Sequence, residues 1–332
     1  MKDIFDNVQF GDLKLNSRIV RTGTWETETS EGGFLTPDIY DRYEKIASSG
    51  TGLIVSEMFA LDHKDRFYPY STNMNYRGFI KDYQMVTDIA HKYDVPIFGQ
   101  LAFFYYDDGE NQKVESNDIA QEGIRKLQAE VIMAAKKFSF AGFDGIQINM
   151  GNNFYLARFM NPYFNQRDDK YGGNTENRVR ISAEIIKVIK KTMDIHVSCR
   201  INPWDARKDG MTADESIAIA KELEKAGADS IQLTARTISQ IYDKGEKHPF
   251  LVYVEKLIDA VDIPVVLGGS LRDMKTINDV LNSSTVEYIS MSKPFVAQAD
   301  FLADWKANSE GVSVCQSCNN CYSKKTSTCF KF

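Results

Sequence analysis

The sequence predicts an α/β fold, a single (β/α)8 TIM barrel followed by a short cysteine-rich C-terminal tail. Three observations point to it. The chain has 332 residues, a natural length for one α/β barrel with a few insertions. Eight short apolar runs alternate with longer amphipathic segments along almost all of it. Several of those runs, such as Gly52-Leu-Ile-Val-Ser and Ile263-Pro-Val-Val-Leu, lack the alternation of a half-exposed strand. Strands buried on both faces read this way, and that implies a parallel sheet covered by helices.

In chain order the strand candidates are Ile19–Thr24, Gly52–Met58, Pro96–Phe103, Gly145–Asn149, His196–Ile201, Ser230–Thr234, Pro264–Gly268 and Glu287–Met291. Helical periodicity fills the gaps, over 118–138 and again over 176–193. Thr212-Ala-Asp-Glu215 reads as a capping box. Beyond it Ile219, Leu223 and Ala226 recur at helical spacing, and Gly227 closes the helix. Strand–helix alternation repeated eight times favours a closed barrel over the alternative, an open doubly wound sheet. No fixed-period repeat is present. The composition first changes after about Asn308, dividing a barrel over 1–308 from a tail over 309–332.

Composition narrows the partners. With 43% apolar and 26% charged residues the chain is an ordinary globular one, and its net charge of −6 argues against nucleic acid or an anionic membrane. The N-terminal MKDIFDNVQFGDLKL has no apolar signal region, and no apolar run is long enough to span a bilayer. The expectation is a soluble cytoplasmic protein acting on a small molecule, with homo-oligomerisation left open. Cys199 stands alone, whereas Cys315, Cys318, Cys321 and Cys329 crowd into the tail. This is no disulfide framework, which fits a reducing compartment.

No Gly-x-Gly-x-x-Gly follows a strand and no Walker loop is present, so a nucleotide cofactor would have no Rossmann unit of its own. Barrels instead hold phosphate on the loops after strands seven and eight. Gly268-Gly269-Ser270 and Ser292-Lys293-Pro294 fall there. The glycines let backbone N–H groups approach an anion, and Lys293 adds charge.

The densest signal runs from Gly142 to Arg180. Its elements are Gly142-Phe-Asp-Gly145, Phe159-x-Asn-Pro162, Asn165-x-Arg167-x-Asp169 and Tyr171-Gly-Gly-x-x-Glu-Asn-Arg178-x-Arg180. This segment resembles the signature of the Old Yellow Enzyme family, the FMN-dependent NADH:flavin oxidoreductases and ene-reductases. The likeness extends over residues 1 to about 305. Ser17-Arg-Ile-Val20 with Arg21-Thr22-Gly23-Thr24-Trp25 is similar to the family's flavin-lining first strand, and Gly52 to Met58 resembles its second. Gln100 and Arg200 match residues ending the third and fifth strands, and Gly268, Gly269, Ser292 and Lys293 occupy the phosphate loops.

The resemblance implies FMN as cofactor, NAD(P)H as co-substrate, and hydride transfer to an electron-poor enone, quinone or nitro compound. The physical chemistry agrees: Arg200 suits the negative charge of a reduced flavin, and Gln100 offers a donor and an acceptor to its pyrimidine edge.

The substrate side departs from the family. Where relatives carry two histidines, or a histidine and an asparagine, this chain has Asn149 and Asn152, which can still donate to a substrate oxygen. Phe154 replaces the family's proton-donating tyrosine, and Tyr155, one residue on, would point about 100° away. Trp25 takes the place of a threonine or cysteine, and Phe67, Tyr68, Phe103, Phe104, Tyr105 and Tyr106 could stack on a planar substrate. These losses leave two rival readings: a flavin-binding barrel of little turnover, and a flavin-free lyase or isomerase. The tail cysteines resemble the cluster-binding run of larger relatives, with a shortened last spacing. An iron–sulfur cluster or zinc is compatible with them, but a tail without metal is favoured.

Overall fold

A computed structural model describes residues 1–25, 29–30, 32–61, 72, 74–107, 113–234, 248, 250–269, 271–308, 311–322 and 329. Among them eight parallel strands close into a barrel. They are β1 (Ile19–Arg21), β2 (Leu53–Phe59), β3 (Ile97–Leu101), β4 (Gly145–Met150), β5 (His196–Ile201), β6 (Ser230–Leu233), β7 (Val265–Gly268) and β8 (Tyr288–Met291). The ring closes where Ile289, Ser290 and Met291 pair with Ile19, Val20 and Arg21. Each apolar run read from the sequence is a barrel strand, which makes the closed barrel, and not the open sheet, the fold.

The helices form the outer layer. They are α1 (Pro37–Ser48), α2 (Phe79–His91), α3 (Gln121–Phe140), α4 (Tyr155–Met160), α5 (Thr175–Thr192), α6 (Ala213–Lys225), α7 (Leu251–Ile258), α8 (Met274–Ser283), α9 (Lys293–Ala297) and α10 (Phe301–Ala307). The capping box at the start of α6 is formed, Glu215 N–H donating to Thr212 Oγ1 at 3.2 Å while Thr212 N–H donates to Glu215 Oε2 at 2.9 Å. Gly227 then turns the chain with φ +105°, a conformation glycine adopts without steric cost.

Three layers stack inside the barrel. A hairpin of Val8–Phe10 and Leu13–Leu15 closes its N-terminal end. Phe10 and Leu15 join Val20, Leu53, Val55, Phe98, Val266 and Tyr288 in an apolar floor. His196 lies against Phe98 and Phe10, with ring centroids 4.7 and 5.5 Å apart. Burial pushes its pKa down to about 4. Above the floor the inward positions turn polar: Thr22, Gln100, Gln147, Ser198, Gln232 and Ser290 are all buried. The third layer is the open C-terminal mouth.

The tail is sewn to the same end of the molecule. Asp273 and Val312 form an antiparallel bridge, and Ser313 N–H donates to the Arg272 carbonyl at 2.8 Å. No helix among the described residues is long and apolar enough to cross a membrane.

Candidate functional site

The mouth has two unlike halves. On the side of β1 to β4, Trp25, Met58, Ala102, Phe104 and Phe154 form one apolar cluster. The Phe104 and Phe154 rings stack with centroids 4.4 Å apart, and Trp25 lies 6.1 Å from each. Trp25 therefore acts as a wall of the mouth. Its neighbour Thr24 faces the other way, its Oγ1 accepting from Arg21 Nη2 at 2.9 Å. Arg21 reaches the helix layer, its guanidinium 5.8 Å over the Tyr43 ring of α1, so the Thr24 hydroxyl is turned outward.

On the side of β5 to β8 the lining is polar, cationic and glycine-rich. Arg200, at the end of β5, is buried and donates to Thr234 Oγ1 at 3.0 Å and to the Gly23 carbonyl at 3.4 Å. Gly268 leaves no room for a side chain, since a Cβ there would lie 2.7 Å from the Leu233 carbonyl. Gly269 has φ +117°, and its carbonyl accepts from His248 Nε2 at 2.9 Å. Ser292 stands at the start of α9, and Lys293 is the helix's first residue. Lys293 Nζ donates to Asn319 Oδ1 of the tail at 3.0 Å, a contact the sequence did not reveal. Ser270, Phe67 and Tyr68 lie outside the described residues.

Between the halves stands Gln100, fully buried. Gly23 packs so close to it that a Cβ would fall 2.7 Å from its carboxamide and from the Ser56 carbonyl. Asn149 Nδ2 donates to Gln100 Oε1 at 3.3 Å, and Asn149 Oδ1 accepts the Gly151 N–H at 3.2 Å. Asn152 has φ +52°, a left-handed conformation asparagine tolerates better than most residues. Its Nδ2 donates to Thr234 Oγ1 at 3.1 Å, while its buried Oδ1 has no hydrogen-bond partner. The two asparagines are thus held by different partners, Asn149 on the β3 side and Asn152 across the mouth toward β6.

Below them Gln100 Nε2 donates to Gln147 Oε1, Gln147 Nε2 to Gln232 Oε1 at 2.7 Å, and Gln232 Nε2 to Thr22 Oγ1 at 2.7 Å and Ser290 Oγ at 2.9 Å. Gln147 and Gln232 were not singled out from the sequence. Their signal is the period-two recurrence of polar residues at 147 and 149 and at 230, 232 and 234, which marks an inward polar layer.

Tyr155 is completely buried. Its ring lies 5.5 Å under the Arg158 guanidinium, its hydroxyl has no hydrogen-bond partner, and burial raises its pKa well above the usual tyrosine range. It cannot serve as an acid at the mouth without rebuilding the start of α4. In the tail the four cysteines line one cavity with Lys293, Val296 and Ala297. Even so, no group of three or more His, Cys, Asp or Glu among the described residues is placed to hold a metal ion. Lining a shared space is a weaker condition than converging on one point. Burial pushes the Cys321 thiol up to about 11.

The residues at the mouth fit a flavin mononucleotide on this chain's own geometry. A carboxamide approached closely by a side-chain-free residue, a buried arginine, an orphaned acceptor on Asn152, and Gly268 without room for a side chain followed by Gly269 at positive φ are what a flat polar heterocycle with a phosphate requires.

The family model of the NADH:flavin oxidoreductase / NADH oxidase family matches residues 3–310. N,N-dimethylglycine/sarcosine dehydrogenase of Chromohalobacter salexigens is 23% identical, over 97% of this chain and 51% of that protein. NADH oxidase of Thermoanaerobacter brockii is 24% identical, over 96% of this chain and 53% of that protein. The chain thus spans about half the length of these curated relatives. The old yellow enzyme homologue from Zymomonas mobilis superposes with TM-score 0.77 at 19% identity, covering 94% of both chains.

Proposed function

The chain belongs to the NADH:flavin oxidoreductase / NADH oxidase family, and from that membership we propose an FMN-dependent oxidoreductase that passes hydride from NAD(P)H to an electron-poor enone, quinone or nitro compound. The observation that carries this reading is the divided mouth, with Gln100 and Arg200 between an aromatic wall and a glycine–lysine corner. FMN, when bound, supplies the two-electron chemistry. Arg200 supplies positive charge for the pyrimidine ring of a reduced flavin, and Gln100 hydrogen-bonds its edge. Gly268, Gly269, Ser292 and Lys293 form the phosphate corner, Thr22 and Gly23 lie beneath the mouth beside the buried amides, Met58 belongs to its apolar wall, and Thr24 contributes its backbone only.

Asn149 and Asn152 are the groups for a substrate oxygen. Each has one amide hydrogen committed, to Gln100 and to Thr234, which leaves the second to polarise the acceptor. Such a donor is worth about 10²–10³ in rate. The reaction belongs to the barrel, 1–308, with the tail over 309–332 as an appendage, and its setting is cytoplasmic.

With one shared face, nicotinamide and acceptor must alternate, giving ping-pong kinetics. Initial velocities of NADH oxidation with quinone, enone and nitro acceptors test this. Parallel double-reciprocal lines are expected, and intersecting lines would exclude a shared face.

A further inference from the structure

The four buried amides at Asn149, Gln100, Gln147 and Gln232 run head to tail. In each link an amide nitrogen donates to the next amide oxygen, and the chain ends on the hydroxyls of Thr22 and Ser290. The Thr22 hydroxyl donates or accepts as required, and Ser290 Oγ, which donates to the Leu267 carbonyl at 3.4 Å, can turn that proton to Gln232 instead, so that end holds direction only weakly. Amide side chains can themselves turn end for end, so three of the links could run either way.

The other end is different. Gly151 presents a backbone N–H, which can only donate, and Asn149 Oδ1 receives it at 3.2 Å. Asn149 must therefore offer Nδ2 to Gln100, Gln100 must answer with Oε1, and each later amide follows. All four side chains are 1% exposed or less, so reversing one against its neighbours would leave buried donors and acceptors facing their own kind.

We propose that the Gly151 N–H, acting through Asn149, fixes the polarity of this amide chain, so that Gln100 presents a carbonyl oxygen to the barrel mouth as a hydrogen-bond acceptor. Asn149 and Gln147 are then positioning residues for the cofactor as well as neighbours of the substrate. Resting on the flavin reading above, the consequence is specific. Gln100 Oε1 selects a ring that carries N–H at its pyrimidine edge, the N3–H of FMN.

The test compares binding of FMN and its N3-methyl analogue to apo-protein at pH 8, by quenching of flavin fluorescence. Wild type is set beside two amide-to-carboxylate variants of equal added charge. Asn149→Asp keeps an acceptor for Gly151 but, ionised, has no proton for Gln100, so the chain reverses and Gln100 turns its NH2 upward. Gln147→Glu still accepts from Gln100 and preserves its orientation. Wild type and Gln147→Glu should favour FMN by about tenfold, one hydrogen bond's worth, and Asn149→Asp should lower the ratio to about threefold or less. A ratio untouched in Asn149→Asp would mean that the methyl group acts by bulk alone, and one lost equally in both variants would mean charge alone; either overturns the proposal. A wild type that binds neither flavin removes the proposed function instead. The polarity is then read by NMR in the apo-protein: Overhauser contacts from the Gln100 carboxamide protons to Gln147 support it, and contacts to the Asn149 side chain overturn it.

Discussion

Gly23 and His196 show how much single residues carry here. Gly23 permits the approach of backbone to Gln100, and an added methyl would meet atoms at 2.7 Å on two sides. Gly23→Ala should cost about 1–3 kcal/mol through overpacking, measurable as a lower denaturation midpoint together with weaker FMN retention. Unaltered retention would remove Gly23 from the cradle. His196 acts through pH. Its folded-state pKa of about 4 lies below the ordinary 6.5, so protonation favours the unfolded chain. Its contribution is complete above about pH 6.5 and is lost as pH falls toward 4. Roughly 2 kcal/mol should go between pH 8 and pH 5, and His196→Gln should flatten the profile by that amount. At this scale Gln100 and Arg200 could be singled out because they match residues that end the family's third and fifth strands, and the structure places both, buried, at the ends of β3 and β5. Gln147 and Gln232 sit inside runs that otherwise read as fully buried strand, and their role depends on partners 47 to 210 residues away in the chain.

At the scale of elements, the strands were legible because a barrel strand covered by helices is buried on both faces, and several of the runs, such as Gly52-Leu-Ile-Val-Ser, lack the alternation of a half-exposed strand. Their ends were less so. The run 19–24 leaves the sheet after Arg21, where the chain must bend so that Thr22, Gly23 and Trp25 face the mouth. The α6 capping box was legible because its chemistry is local. Thr212→Ala should lower stability by about 1 kcal/mol, a shift of a few degrees in melting temperature, with FMN content unchanged. A loss of FMN in that variant would tie α6 to the site. The docking of the tail was illegible, since Asp273 with Val312 and Lys293 with Asn319 are contacts between distant segments.

For the molecule as a whole, the barrel gathers onto one face residues drawn from every strand, and that face is polar on one side and aromatic on the other. Removing the cation from the middle should be felt most. Arg200→Ala should slow flavin reduction by on the order of 10²-fold and weaken FMN retention, and an unchanged reduction rate would take Arg200 out of the site. The central claim, that this barrel is built around a flavin reduced by nicotinamide, is tested most directly by the visible absorption spectrum of the purified protein, recorded without oxygen before and after NAD(P)H is added. A yellow protein whose flavin bands bleach on addition is the expected result. A colourless protein that takes up no added FMN would contradict it.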